Sequence, residues 1–135
     1  MSGEIGGWDV LVVDDEPVVL EVVRLVLEAD GLRVATAPDR RGAEAHPAAA
    51  SCRLLLCDLM LPEGSGLELV RSLRARRPGL PAIMMTGYAT ADAALEALRA
   101  GATDFLPKPF DDAELLNQVR HALAPRDVAQ KESVT

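Results

Sequence analysis

The chain has 135 residues, about one domain, and 49% of them are apolar, enough for a core that needs neither disulfides nor a structural metal. A net charge of −7 argues against a nucleic-acid-binding surface, and no apolar run reaches the ~20 residues needed to span a bilayer. Aromatic residues are only 3%, so the core must be Val, Leu, Ala and Met.

The segment 1–7 is polar and Gly-rich, unlike a signal peptide, and a soluble, cytoplasmic protein is expected. The run Trp8–Val13 suits a strand buried on both faces. Glu16–Asp30 reads as a helix, with Asp15 as N-cap, Pro17 in the first turn and Gly31 at the end. Its interior polar residues, Glu21, Arg24 and Glu28, leave an apolar arc of roughly 220°, wider than one packed face needs. Either the last helix covers the excess or a partner docks there, with Pro109 and Phe110 nearby.

Leu32–Thr36 is a second strand and Pro38–Ala45 a short helix, interrupted at His46-Pro47. Arg53–Cys57 is a third strand, followed by a loop over Asp58–Gly64. Cys52 and Cys57 are five apart on that stretch, which puts them on opposite faces, unpaired, as small core residues. His46 and His121 have no neighbours at ligand spacing and read as surface histidines. Ser65–Arg77 is a helix capped by Ser65, with Glu68 at the capping-box position. Leu80–Met85 is a fourth strand, Ala91–Ala100 a helix ended by Gly101, Thr103–Leu106 a fifth strand and Asp111–Leu123 the last helix. Segments 1–7 and 125–135 are expected to be flexible around a domain at 8–124. Alternating β-α units imply an α/β fold: a doubly wound, five-stranded parallel sheet of flavodoxin-like order 2-1-3-4-5.

Such sheets bind ligands outside the carboxyl ends of their strands. Asp14 and Asp15 end strand 1, Asp58 ends strand 3, Thr86 ends strand 4 and Lys108 follows strand 5. Positive charge elsewhere in the domain is carried by arginine, and the other lysine is Lys131. A compact ammonium at position 108 suits a phosphoryl oxygen better than a planar fork does. Three crowded carboxylates call for a divalent cation such as Mg²⁺, which takes oxygen ligands and keeps several waters. Asp58 can then serve as a nucleophile that accepts a phosphoryl group as an acyl phosphate. Singly, each residue is more often a cap, a turn former or a surface charge; their convergence at four strand ends is what carries the reading.

The segments Leu11–Pro17, Leu56–Pro62, Met85–Tyr88 and Gly101–Phe110 resemble the receiver domain of bacterial two-component response regulators, over about residues 8–124. The resemblance implies that Asp58 takes a phosphoryl group from the phosphohistidine of a sensor histidine kinase or phosphotransfer protein. It implies that Asp14 and Asp15 hold Mg²⁺, with Asp58 and the backbone carbonyl of Met60. It implies that the Thr86 hydroxyl moves to the phosphoryl group, that Phe105 changes rotamer, and that the Lys108–Pro109 peptide is cis. The switched face is that of the Ala91–Ala100 helix, the Thr103–Leu106 strand and the Asp111–Leu123 helix, available to a partner or a homodimer. The resemblance also implies that Met60 and Tyr88 flank the phosphoryl group, at positions where they would tune its hydrolysis. Self-phosphorylation from phosphodonors and autodephosphorylation, both Mg²⁺-dependent, are implied rather than a dedicated enzyme.

Gly87-Tyr88-Ala89-Thr90 is similar to receivers that control transcription. The residues leave open a stand-alone regulator and the N-terminal piece of a longer one, with an effector domain beyond residue 135. A haloacid-dehalogenase-type phosphatase is disfavoured because it needs Asp-x-Asp, whereas Glu16 stands two after Asp14. A flavin carrier needs a phosphate loop where this chain has an acidic pair, and a degenerate receiver usually lacks the Asp or the Lys.

Overall fold

The computed structural model describes residues 7–124. In chain order its elements are β1 (Val10–Val13), α1 (Pro17–Ala29), β2 (Val34–Ala37), α2 (Arg40–Ala45), α3 (Ala48–Ser51), β3 (Leu54–Asp58), β4 (Met60–Leu61), β5 (Gly64–Ser65), α4 (Gly66–Arg76), β6 (Ala82–Thr86), α5 (Ala91–Arg99), β7 (Asp104–Pro107) and α6 (Asp112–Leu123). The main sheet is parallel, in the order β2-β1-β3-β6-β7. Counting only its five strands, that is the expected 2-1-3-4-5. β4 and β5 form a separate antiparallel hairpin in the stretch expected to be a loop.

Strand alternation divides the core in two. Leu11, Val13, Leu55, Cys57, Ala82 and Met84 pack with α2, α3, α4 and α5 residues such as Ala43, Ala48, Leu69 and Ala97. Val10, Val12, Leu54, Leu56, Ile83 and Met85 pack with Val23 and Leu27 of α1 and Leu115 and Val119 of α6. Each fully buried Leu or Val contributes roughly 1.5–3 kcal/mol relative to exposure. Both sides of the sheet are covered, which is why its central strands β1, β3 and β6 are buried throughout and largely apolar.

Several local expectations need correction. The α1 cap is Glu16, not Asp15, and its side chain makes no capping bond; Pro17 opens the helix. β2 starts at Val34 because the Leu32 amide closes the end of α1 on the Leu27 carbonyl (3.1 Å), past Gly31 at φ 89°. β6 starts at Ala82 because the Leu80 amide is used in a turn on the Arg77 carbonyl (2.9 Å). Ser65 does cap α4, its Oγ accepting from Leu67 N at 3.1 Å, but no box forms there: Glu68 reaches across to Arg40 Nη1 at 2.7 Å. The reciprocal box is at α6, between Asp111 and Glu114.

Cys52 precedes β3 instead of lying on it, so the parity argument fails, and both cysteines join the same core cluster as free thiols. His46 is not a plain surface histidine. Its Nδ1 accepts from Ala48 N at 2.9 Å, supplying α3 with the acceptor that Pro47 lacks, and its ring meets Trp8 edge-on at 5.6 Å. The two flexible ends expected from the sequence lie outside the described residues, apart from Gly7.

Candidate functional site

β1 and β3 are neighbours in register, Val10 opposite Leu54 and Val13 opposite Cys57. The residues that follow, Asp14 and Asp58, therefore emerge side by side. Asp14 is fully buried and Asp58 nearly so. Lys108 follows β7, two strands from β3 and three from β1, where its amide donates to the Thr86 carbonyl at 2.7 Å and its peptide to Pro109 is cis, as the resemblance implied. Its flexible stem spans the gap. Nζ donates to Asp14 Oδ2 at 2.8 Å, to Asp58 Oδ2 at 3.0 Å and to Glu16 Oε1 at 3.2 Å.

Burial pushes the Asp14 carboxyl above the ordinary aspartate range, and its bonds to Lys108 and the Glu16 amide offset only part of this. Burial acts on Lys108 in the opposite sense, but its bonds to Asp14 and Asp58 outweigh it and hold the ammonium charged well beyond the ordinary lysine range. The Cys57 thiol, walled in beside both aspartates, is pushed up and stays protonated. The centre thus has a fixed cation between carboxylates that carry more negative charge than it can balance.

One oxygen each from Asp14, Glu16 and Asp58 lies within 4.8 Å of the others. This all-oxygen, anionic donor set suits a hard divalent cation such as Mg²⁺. Asp15 is exposed and outside that group. The Met60 amide donates to Asp58 Oδ1 at 3.0 Å, fixing the free rotation of the carboxylate, while the Met60 side chain points to solvent. Thr86 is fully buried, and its hydroxyl accepts from Tyr88 N at 2.9 Å instead of bonding Asp58. Phe105 is half-buried against the core cluster under α5, and Gln118 Nε2 donates to its carbonyl.

The structure therefore gathers Asp14, Asp58 and Lys108 at one point and sets Thr86 at the end of the strand next to β3. Two residues escaped the sequence reading. Glu16 takes part in the cluster; its place directly after Asp14-Asp15 and before a helix-opening proline was the signal that could have found it. Gly66 carries α4 against the backbone of Asp58, where a Cβ would stand 2.0 Å from the Asp58 carbonyl oxygen. That approach leaves no trace in a sequence.

Comparison with known proteins agrees with this geometry. The family model described as the response regulator receiver domain matches residues 10–120. Response regulator protein PilR of Pseudomonas aeruginosa is 39% identical over 91% of this chain and 28% of its own length. The chain spans between 25% and 53% of the length of the first curated relatives it matches. A CheY-like receiver domain protein from Methanospirillum hungatei superposes with a TM-score of 0.81 at 31% identity, covering 93% of this chain and 98% of that one. The beryllofluoride-activated NtrC4 receiver domain, solved as a dimer, gives 0.79 at 31% identity, over 85% of this chain and 95% of that one. With β1, β3 and β7 delivering two aspartates and a lysine to one end of a 2-1-3-4-5 sheet, and with that match over most of its length, the chain belongs to the response regulator receiver domain family.

Proposed function

We propose that Asp58 is the phosphoacceptor of this receiver domain. The observation that carries the reading is the Lys108 ammonium bridging Asp58 and Asp14 at the ends of adjacent strands. An oxygen of the Asp58 carboxylate attacks the phosphorus of a kinase phosphohistidine. The O–P bond forms as the N–P bond breaks, and the bonding pair returns to the imidazole nitrogen. Lys108 shifts from carboxylate to phosphoryl oxygen, and the Met60 amide keeps the acceptor carboxylate from rotating. Asp14 and Asp58, with Asp15 and the Met60 carbonyl as further oxygen donors, would hold Mg²⁺, which neutralises charge on the transferring group. Water attack on the acyl phosphate reverses the modification, with Met60 and Tyr88 beside it.

The output in this reading is a shift of Thr86 and Phe105 that reshapes the α5-β7-α6 face. Leu95 and Leu98 are already exposed there, as a homodimer or partner contact requires. The donor is a sensor histidine kinase or phosphotransfer protein in the cytoplasm; among the described residues no helix is long and apolar enough to cross a membrane. Control of transcription would require an effector domain beyond residue 135.

The test is intact mass after incubation with acetyl phosphate. One phosphoryl group should be gained with Mg²⁺, none after chelation and none in Asp58→Asn. A gain that persists in Asp58→Asn refutes the assignment.

A further inference from the structure

We infer that Glu16 is a positioning residue for Lys108, an acceptor that keeps the ammonium in place when Asp14 and Asp58 turn to a metal ion. The inference rests on the phosphoacceptor reading above. The three acceptors around Nζ are not equivalent. The Asp14 side chain is fully buried and Asp58 almost so, whereas Glu16 is 62% exposed. Buried carboxylates have little water to lose and gain most from a small dication. A divalent ion on the two aspartates competes for the oxygens that Lys108 uses and repels the ammonium. Glu16 keeps its own solvation and loses least by staying with the lysine.

The local structure leaves Glu16 available for this. It stands at the cap position of α1, yet its side chain makes no capping bond. Its backbone amide donates to Asp14 Oδ1 at 2.9 Å, which anchors the base of the side chain beside the site. Charge points the same way. A divalent ion on the aspartates takes over the oxygens that Lys108 uses, and among the described residues Glu16 is then the remaining carboxylate paired with the ammonium. Without it, an ammonium beside the ion has no anionic partner of its own and moves toward solvent. An ammonium retained at the site is pre-positioned for a phosphoryl oxygen; a released one must be ordered again during transfer.

Lysine occurs only at positions 108 and 131, so ¹⁵N-lysine labelling of the whole chain gives two side-chain ammonium signals, which Lys108→Arg assigns. Hydrogen exchange of the Lys108 ammonium is measured in wild type, Glu16→Gln and Glu16→Ala, with and without saturating Mg²⁺. The Met60 amide, bonded to Asp58 and followed in a uniformly ¹⁵N-labelled sample of each protein, reports metal binding. Without metal the three should agree within about threefold, because Asp14 and Asp58 still hold the ammonium. With Mg²⁺, exchange should accelerate about tenfold in Glu16→Gln and further in Glu16→Ala, as loss of one charge-assisted hydrogen bond requires. If Mg²⁺ moves the Met60 amide in all three while Lys108 exchange stays alike, the role of Glu16 is wrong and the phosphoacceptor reading survives. If Mg²⁺ leaves the Met60 amide of wild type unmoved, the metal reading falls and this inference with it.

Discussion

Gly66 and Asp58 are in backbone contact: a Cβ at residue 66 would stand 2.0 Å from the Asp58 carbonyl oxygen and 3.0 Å from Cys57 Sγ. The Gly66 amide meanwhile donates to the Leu59 carbonyl at 2.7 Å, so α4 begins pinned to the strand end that presents the acceptor. The helix cannot retreat without breaking that bond, and the carbonyl cannot retreat without moving Asp58. Gly66→Ala should therefore cost about 1–3 kcal/mol in a urea melt, as overpacking does. It should also slow phosphorylation by acetyl phosphate, because the displaced backbone carries the carboxylate proposed as nucleophile. Wild-type stability and rate together would show that the contact relaxes freely and that Gly66 positions nothing.

Asp14 is the carboxylate whose burial most disfavours its charge, and Lys108 is shared among too many acceptors to compensate. Removing the charge with Asp14→Asn should raise the metal-free melting point by roughly 3–6 °C, on the order of 1 kcal/mol for a domain this size. Mg²⁺ should stabilise wild type by roughly 2.7 kcal/mol at a hundredfold excess over Kd, a shift of about 5–10 °C. The variant should lose most of that response. Thermal melts at constant ionic strength, with and without Mg²⁺, decide it; equal responses in both proteins would remove Asp14 from the metal site.

The parallel sheet was legible because its central strands β1, β3 and β6 are buried on two faces, and so appear as largely apolar runs such as Leu54–Cys57. The convergence of Asp14, Asp58 and Lys108 was legible because strand ends in a parallel sheet share one edge. Finer features depended on competition between bonds that the sequence does not rank. Asp15 is the cap that residue type favours, until the inward turn of Asp14 takes the Glu16 amide and the helix opens at Pro17. Glu68 fits a capping box until Arg40, 28 residues away in the chain, offers a charged partner. His46 looks like a surface residue until Pro47 leaves α3 without a cap.

Glu63, in the hairpin that follows the acceptor, accepts from the first amides of α2, Arg40 N and Arg41 N, each at 3.2 Å. Slight desolvation opposes ionisation, but these two amides outweigh it and hold the carboxyl below the ordinary glutamate range. A lowered folded pKa contributes stability above the unfolded value, and that contribution disappears as pH falls through the folded value. Glu63→Gln should therefore be less stable than wild type at pH 7, and the gap should close steadily below about pH 4.5. Urea midpoints of both proteins across pH 3–7 test this. A gap that is constant with pH would mean the two amides do not discriminate between charged and neutral forms.

Val18 and Val22 of α1 remain exposed, at 74% and 46%, although Val23 and Leu27 of the same helix are buried against the sheet and α6. With Val19, Pro109 and Phe110 they line an apolar groove of about 270 Å³ that reaches Lys108. The wide apolar arc is thus covered in part: α6 takes one edge, and the other is left open beside Lys108. If a kinase delivers the phosphoryl group to Asp58, as proposed above, an approach over this edge would bury valine in the encounter. Val22→Lys should leave stability within about 0.5 kcal/mol of wild type, because the residue packs against little in the free domain. It should leave phosphorylation by acetyl phosphate unchanged, since that donor needs no protein contact. Transfer from a kinase that phosphorylates wild type should fall about tenfold, the loss of one good apolar contact at an interface. The two donors assayed side by side separate docking from chemistry, and an equal fall with both would place Val22 in the site's integrity instead of in recognition.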